Sequence, residues 1–221
     1  MKYMNLGRTG MKISVVGLGC GNFGGIGSAP AFFGKGETEE EAFTLLDTAW
    51  ELGINFFDTA DAYGGGRSET YIGKWLKTKG AAVRDQLIIS SKVFNPVGDG
   101  PNDKGLSRRH IFRQVEASLK RLGVDHLDMY LIHEPDPETS LEETLRALDD
   151  LIRQGKIHYI GASNMPGSQT NTLPHPEGRK PEGCGGRIAC LHSGCIIVHV
   201  RRRLPPRSSC RSLLRLMRHV S

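Results

Sequence analysis

Four residues suited to acid–base work each stand at or just beyond the end of an apolar run. "INFFD" closes on Asp58, and Tyr63 follows five residues later. "QLIISSK" closes on Lys92, and "LDMYLIH" on His133. A further run, "IHYIGAS", leads into Ser163 and Asn164. The set suits reduction of a carbonyl. Hydride addition makes an alkoxide, which needs a proton. A free phenol, with a pKa of about 10, is a reluctant donor or base at neutral pH. A neighbouring ammonium favours the phenolate and lowers that pKa. A carboxylate beside the lysine would hold and neutralise it. A histidine can hydrogen-bond the carbonyl oxygen and orient it. Singly, each residue has a plainer reading: Asp58 as a cap, Tyr63 as a packed loop aromatic, Lys92 as a solvated charge, His133 as a strand cap. Their recurrence at successive strand ends favours the joint reading.

Regular alternation positions them. "KISVVGLG" from Lys12 reads as a strand, as do the runs ending at Asp58, Lys92, His133 and Ser163. Helices separate them. "TEEEAFTLLDTAWELG" has Thr38 as N-cap, acids in its first turn and a closing glycine. "SETYIGKWLKTKG" starts at Ser68. "SRRHIFRQVEASLKRLG" is capped by Ser107 and ended by Gly123. "SLEETLRALDDLIRQGK" opens at Ser140 with a capping-box pattern. Strand and helix alternating in this way predict an α/β fold with a parallel sheet. The strands are near-continuous apolar runs, as expected where both faces are covered. An open doubly wound sheet and a (β/α)8 barrel both fit. In a barrel the C-terminal strand ends share one mouth, where Asp58, Lys92 and His133 would meet Tyr63.

The alternation stops after "GASNMP". Residues 166–221 carry nine Arg and one Lys against two Glu, whereas the rest carries 19 basic and 22 acidic residues. All fifteen aromatic residues precede Met165, and four of the five cysteines follow it. A shift this sharp marks a boundary. No apolar run of about 18 residues predicts a membrane span. The N-terminus lacks the apolar core of a signal peptide. A cytoplasmic protein with no membrane association is expected.

Other motifs carry less. "GCGNFG" from Gly19 fits G-x-G-x-x-G, yet the loop "GIGSAPAFFGKGE" follows where a dinucleotide fingerprint needs a helix. Asn22 and Phe23 in that region are candidates to touch substrate or cofactor. The tail cysteines Cys184, Cys190, Cys195 and Cys210 form no C-x2-C pair, so no metal site is expected there or elsewhere. Arg201 to Arg203 lack interleaved aromatic residues, so no nucleic-acid partner is expected.

"FFDTADAYGGGRSETYIG", "IISSKV", "DMYLIH" and "IGASN" resemble the signature segments of the aldo-keto reductases. "KYMNLGRTGMKISVVGLGCGNFGG" is similar to that family's opening hairpin and first strand. The branch resembled holds the bacterial aryl-alcohol-dehydrogenase-like and potassium-channel β-subunit-like members. The resemblance covers roughly residues 3–165. It implies a (β/α)8 TIM-type barrel, NADPH (NADP) as cofactor and a small aldehyde or ketone as substrate. It assigns the catalytic tetrad to Asp58, Tyr63, Lys92 and His133, with Tyr63 as general acid. It assigns the nicotinamide carboxamide to Ser163 and Asn164.

The sequence also departs from the family. A barrel needs eight βα units in about 250 residues, and about five are visible. The glutamine, stacking aromatic and phosphate-reading loop that the family places in later units find no match. Residues 1–165 are therefore expected to form a partial barrel, and 166–221 an unrelated, poorly ordered tail with the composition of a shifted reading frame. Open apolar edges are expected at the first and fifth barrel strands, an aggregation liability. A catalytically dead truncated product and an NADPH-binding regulatory subunit are the alternative readings.

Overall fold

A computed structural model describes residues 1–7 and 9–164, together with the backbone of two short segments, Ile188–Ala189 and Ile196–His199. An antiparallel hairpin of β1 (Tyr3–Asn5) and β2 (Lys12–Ser14) comes first. The parallel strands β3 (Val16–Gly19), β4 (Phe56–Asp58), β5 (Ile88–Val93), β6 (Leu127–Ile132) and β7 (Ile157–Ala162) follow. Between them run α1 (Glu39–Glu51), α2 (Arg67–Lys79) with the short α3 (Ala81–Arg84), α4 (Arg108–Leu122) and α5 (Leu141–Arg153).

Strand order settles the architecture. β3 to β7 lie side by side in chain order, all parallel, without the reversal that a doubly wound sheet requires. The fold is α/β, an incomplete (β/α)8 barrel. Both faces of the sheet are buried, as its apolar strands demand. Phe57, Tyr130 and Ile132 face the helices, where Phe57 meets Trp75 at 5.7 Å between ring centroids. Phe56, Met129 and Leu131 face inward and pack under Leu6 and Ile13 of the hairpin region. Successive strand residues alternate faces, so Asp58, Ser90, Lys92 and His133 share the inner face with Phe56, Ile88 and Leu131.

Local details differ from expectation in three places. "KISVVGLG" is two strands, broken at Val15. The Ser14 hydroxyl donates to the Val16 carbonyl at 2.7 Å, and the Ser14 N–H donates to the Asn55 side chain at 2.7 Å, which turns the chain from hairpin to barrel. The second helix starts at Arg67 with Gly66 at its cap, because the Ser68 hydroxyl is engaged with the Cys20 carbonyl at 2.8 Å. The box at Ser140 is half closed: its hydroxyl accepts from Glu143 N–H, but the Glu143 carboxylate accepts from the Arg108 N–H at 2.9 Å and so ties α5 to α4. The box at Thr38 and Glu41 is complete.

The β3 edge is covered along its length, and the β7 edge only at Ile160 and Gly161. β9 (Ile196–His199) pairs parallel with β3, and β8 (Ile188–Ala189) pairs parallel with β7. An edge strand presents unpaired N–H and C=O groups to any extended segment. Short apolar stretches of the tail supply that segment on both sides. The remainder of the 166–221 expectation lies outside the described residues, as do the tail cysteines and Arg201 to Arg203.

Candidate active site

Asp58 is the last residue of β4 and is 2% exposed. The Ser90 hydroxyl donates to its Oδ1 at 2.6 Å, and the Lys92 ammonium donates to its Oδ2 at 2.7 Å. Lys92 also donates to the Thr59 carbonyl at 2.8 Å and to the Tyr63 hydroxyl at 3.5 Å. Its three protons thus have three acceptors. The Tyr63 hydroxyl lies 3.3 Å from His133 Nε2, and the two rings meet edge to face. A continuous line of contacts therefore runs Asp58–Lys92–Tyr63–His133.

Tyr63 reaches this point through the glycine triplet. Gly64, Gly65 and Gly66 have φ of 59°, 69° and 86°, the left-handed region that favours glycine. A Cβ on Gly64 would stand 2.6 Å from the Phe23 carbonyl oxygen. The tight turn drops the phenol into the mouth and delivers the chain directly into α2.

His133 is held from three sides. Asn95 Nδ2 lies 3.0 Å from its Nδ1 and 3.0 Å from the Ser28 hydroxyl. An amide N–H donating to Nδ1 leaves the ring proton on Nε2, facing Tyr63. Ser163 Oγ and Asn164 Nδ2 both donate to the His133 carbonyl, at 2.7 and 3.0 Å. All six residues singled out in the sequence thus sit together at the C-terminal strand ends. Phe23 does not belong with them: it is 2% exposed and packs in the core, out of reach of a ligand.

The electrostatics correct one expectation. Burial pushes the Tyr63 phenol up, and Asp58 adds to it; Lys92 pulls it down but does not win, so the net direction is above the ordinary value. The carboxylate that fixes the lysine also cancels much of its field. Burial works against the Lys92 ammonium, yet Asp58 and Tyr63 outweigh it and hold its pKa up. Burial, then Lys92, push His133 down to about 4, so its imidazole is neutral at pH 7. Burial lifts the Cys20 thiol under the site well up, which leaves it unreactive.

Sequence reasoning missed Ser90 and Asn95. Ser90 was findable, since it lies two residues before Lys92 and hence on the same face. Asn95 carried no signal: it lies on an irregular loop before Pro96.

A singly wound parallel sheet with a charged cluster at its C-terminal mouth defines a barrel-type α/β protein. The chain belongs to the aldo/keto reductase family, whose profile matches residues 16–182. It is 41% identical over 175 residues to an uncharacterized oxidoreductase, YrpG, of Bacillus subtilis, covering 76% of this chain and 50% of the relative. It is 40% identical over 190 residues to a versiconal hemiacetal acetate reductase of Aspergillus parasiticus, covering 78% and 54%. It is 40% identical over 169 residues to a probable voltage-gated potassium channel subunit beta of Arabidopsis thaliana, covering 76% and 48%. The chain spans about half the length of these curated relatives.

Proposed function

We propose that the chain carries the proton-handling part of an NADPH-dependent carbonyl reductase acting on small aldehydes or ketones. The observation that carries this reading is the unbroken line of contacts from Asp58 through Lys92 and Tyr63 to His133.

The residues present fit one end of the cofactor. Ser163 and Asn164 offer a hydroxyl and an amide, the groups that pair with a carboxamide, and both are pinned beside His133. NADPH, when bound, supplies the hydride to the carbonyl carbon. Tyr63 gives its hydroxyl proton to the carbonyl oxygen as charge develops there. His133 donates from Nε2 to the same oxygen and orients it. Lys92 stabilises the phenolate left on Tyr63 until solvent reprotonates it, and Asp58 fixes Lys92. The phenol keeps its proton at neutral pH, as a general acid must, and Lys92 offsets part of the burial that makes it a reluctant donor. Positioned proton transfer of this kind contributes about 10²–10⁴-fold.

The potassium-channel-subunit relative supports a second reading, an NADPH-binding regulatory subunit with a protein partner. Titration of the 221-residue chain with NADPH, followed by turnover of an aromatic aldehyde, separates the readings. Binding with turnover that Tyr63→Phe abolishes supports the reductase, and equal turnover by Tyr63→Phe defeats the role given to Tyr63. Binding without turnover favours the regulatory subunit. Absence of both marks a catalytically dead partial barrel.

A further inference from the structure

A second cluster of titratable side chains lies on the other face and at the other end of the sheet. His126 immediately precedes β6, Asp128 is the second residue of β6, and His158 is the second residue of β7. Asp128 shares the outer, helix-facing side of β6 with Tyr130 and Ile132. His133 and the mouth lie seven positions further along β6 from His126, roughly 23 Å at 3.3 Å per residue.

We propose that His126, Asp128 and His158 bind a zinc-type divalent cation. This inference is independent of the proposed reductase activity. Each residue offers one ligand atom, and these atoms lie within 4.8 Å of one another. The orientation of His126 and Asp128 is set by neighbours rather than by chance. The His126 Nδ1 pairs with Asp125 Oδ1 at 2.6 Å, so Nδ1 carries a proton and Nε2 is the nitrogen left to ligate. Histidines that ligate metals commonly donate their other N–H to a carboxylate in this way. Nε2 faces Asp128 Oδ1 across 4.0 Å. That gap is too long for a hydrogen bond, and a tetrahedral ion with bonds of about 2.0–2.1 Å holds its ligand atoms roughly 3.3–3.4 Å apart, so His126 must close on Asp128 by about 0.6 Å to share one.

The other oxygen of Asp128 is already committed. Oδ2 accepts from the Ile89 N–H at 2.9 Å and lies 3.1 Å from Arg84 Nη1. Arg84 is itself tied to the Leu87 and His126 carbonyls, each at 3.0 Å. Asp128 is therefore held rigidly with Oδ1 turned to the histidines. His158 stacks on His126 with ring centroids 4.2 Å apart. His158 is exposed, so its ring has room for the small adjustment that brings its nitrogen to bonding distance. Two imidazoles and one carboxylate select zinc and its neighbours over magnesium or calcium, which prefer oxygen. Asp125 and Asp128 outnumber Arg84 in charge, so the surroundings favour a dication. Water completes a four-coordinate shell. The bound ion would cross-link β6 to β7, the strand that carries Ser163 and Asn164 at its far end.

The test is calorimetric titration of the EDTA-treated chain with Zn²⁺, with Co²⁺ as the spectroscopic probe. The tail cysteines are alkylated first, so that thiolates cannot compete. The expected result is one equivalent bound, at least about tenfold weaker in His158→Ala and lost in His126→Ala/His158→Ala. Circular dichroism confirms the fold of each variant; His158 is exposed, so His158→Gln serves as a second mild variant. Mg²⁺ at the same concentration should give no heat. A single equivalent unaffected by His158→Ala overturns the proposal. So does binding that vanishes on alkylation with a thiolate charge-transfer band before it, which would place the metal on the tail, and so does absence of binding at millimolar Zn²⁺.

Discussion

The Lys92–Asp58 pair invites a double-mutant cycle. Its N···O distance is 2.7 Å, and the two side chains are 6% and 3% exposed, so neither charge has water to fall back on. Asp58→Asn keeps the shape but leaves a buried ammonium facing only neutral acceptors, Thr59 O and the Tyr63 hydroxyl. Lys92→Met leaves a buried carboxylate with the Ser90 hydroxyl as its remaining donor among these contacts. Breaking a buried pair from one side costs about 3–5 kcal/mol. That is a large part of the roughly 5–15 kcal/mol that stabilises a typical domain. Asp58→Asn/Lys92→Met strands no charge and conserves volume, so it should be more stable than either single variant. The coupling energy should then be about 3 kcal/mol or more. Four urea unfolding curves at pH 7, followed by circular dichroism, measure it. Lys92 is held above the ordinary lysine value, so its contribution is complete below that value and is lost only as pH rises through the folded one. The pH 7 experiment therefore sees all of it. Single losses below about 1 kcal/mol, or losses that simply add, would refute the account of Lys92 as an ion locked by Asp58.

Three further outcomes follow from the site. In a version of the protein that turns over, the pH profile of reduction should show no break where free histidine titrates, because His133 is neutral down to about pH 4; activity should fall only as the raised Tyr63 phenol ionises at high pH, and an acid limb near the ordinary histidine pKa of about 6.5 would count against this. Asn95→Ala should release the His133 tautomer, read as a shift of its ring ¹⁵N resonances from the Nε2–H pattern toward a mixture, with a loss of roughly 2- to 10-fold in turnover, the worth of one hydrogen bond; an unchanged nitrogen spectrum would remove Asn95 from the site. Asp61 is 1% exposed, and burial, then Glu69, lift its carboxyl well up against Arg121, so Asp61→Asn should raise the melting temperature at pH 7 by an increment that fades toward pH 4, where the unfolded carboxyl is also protonated; a loss of stability at pH 7 would contradict that sign.

The sequence made the mouth readable because strand periodicity and strand ends are local signals. Asp58, Lys92 and His133 each close an apolar run, and a period of two puts them on one face. Thr38, Ser107 with Gly123, and Ser140 were readable as helix caps for the same reason. What stayed hidden depends on contacts distant in the chain. The break at Val15 depends on Ser14 meeting Asn55, 41 residues away. Asn95 meets His133 across 38 residues, from a loop with no pattern. The direction of the Tyr63 shift depends on how far burial and Asp58 offset Lys92, which residue types alone do not reveal. The run "IACLHSGCIIVHV" reads as strand-forming, but its composition does not tell that its two ends pair with opposite edges of the sheet.

The supports of the mouth also explain how it forms on five barrel strands. Every group that fixes the four charged or polar residues comes from the strand beside it or the loop after it. Lys92 on β5 finds Asp58 and Thr59 at the end of β4, and Tyr63 on the loop that follows. His133 after β6 finds Asn95 after β5 on one side, and Ser163 and Asn164 after β7 on the other. These links span one step of a singly wound sheet, and the Tyr63–His133 and Asn95–Ser28 contacts span two, so the network is complete once β3 to β7 have paired, whatever closes the barrel. The cofactor grip implied by family resemblance is different, since its glutamine, stacking ring and phosphate loop belong to later units. Proton chemistry and cofactor affinity are therefore separable along this chain: a preorganised mouth can accompany weak NADPH binding. The Lys92–Asp58 coupling energy reports on the first, the NADPH titration on the second, and neither result predicts the other.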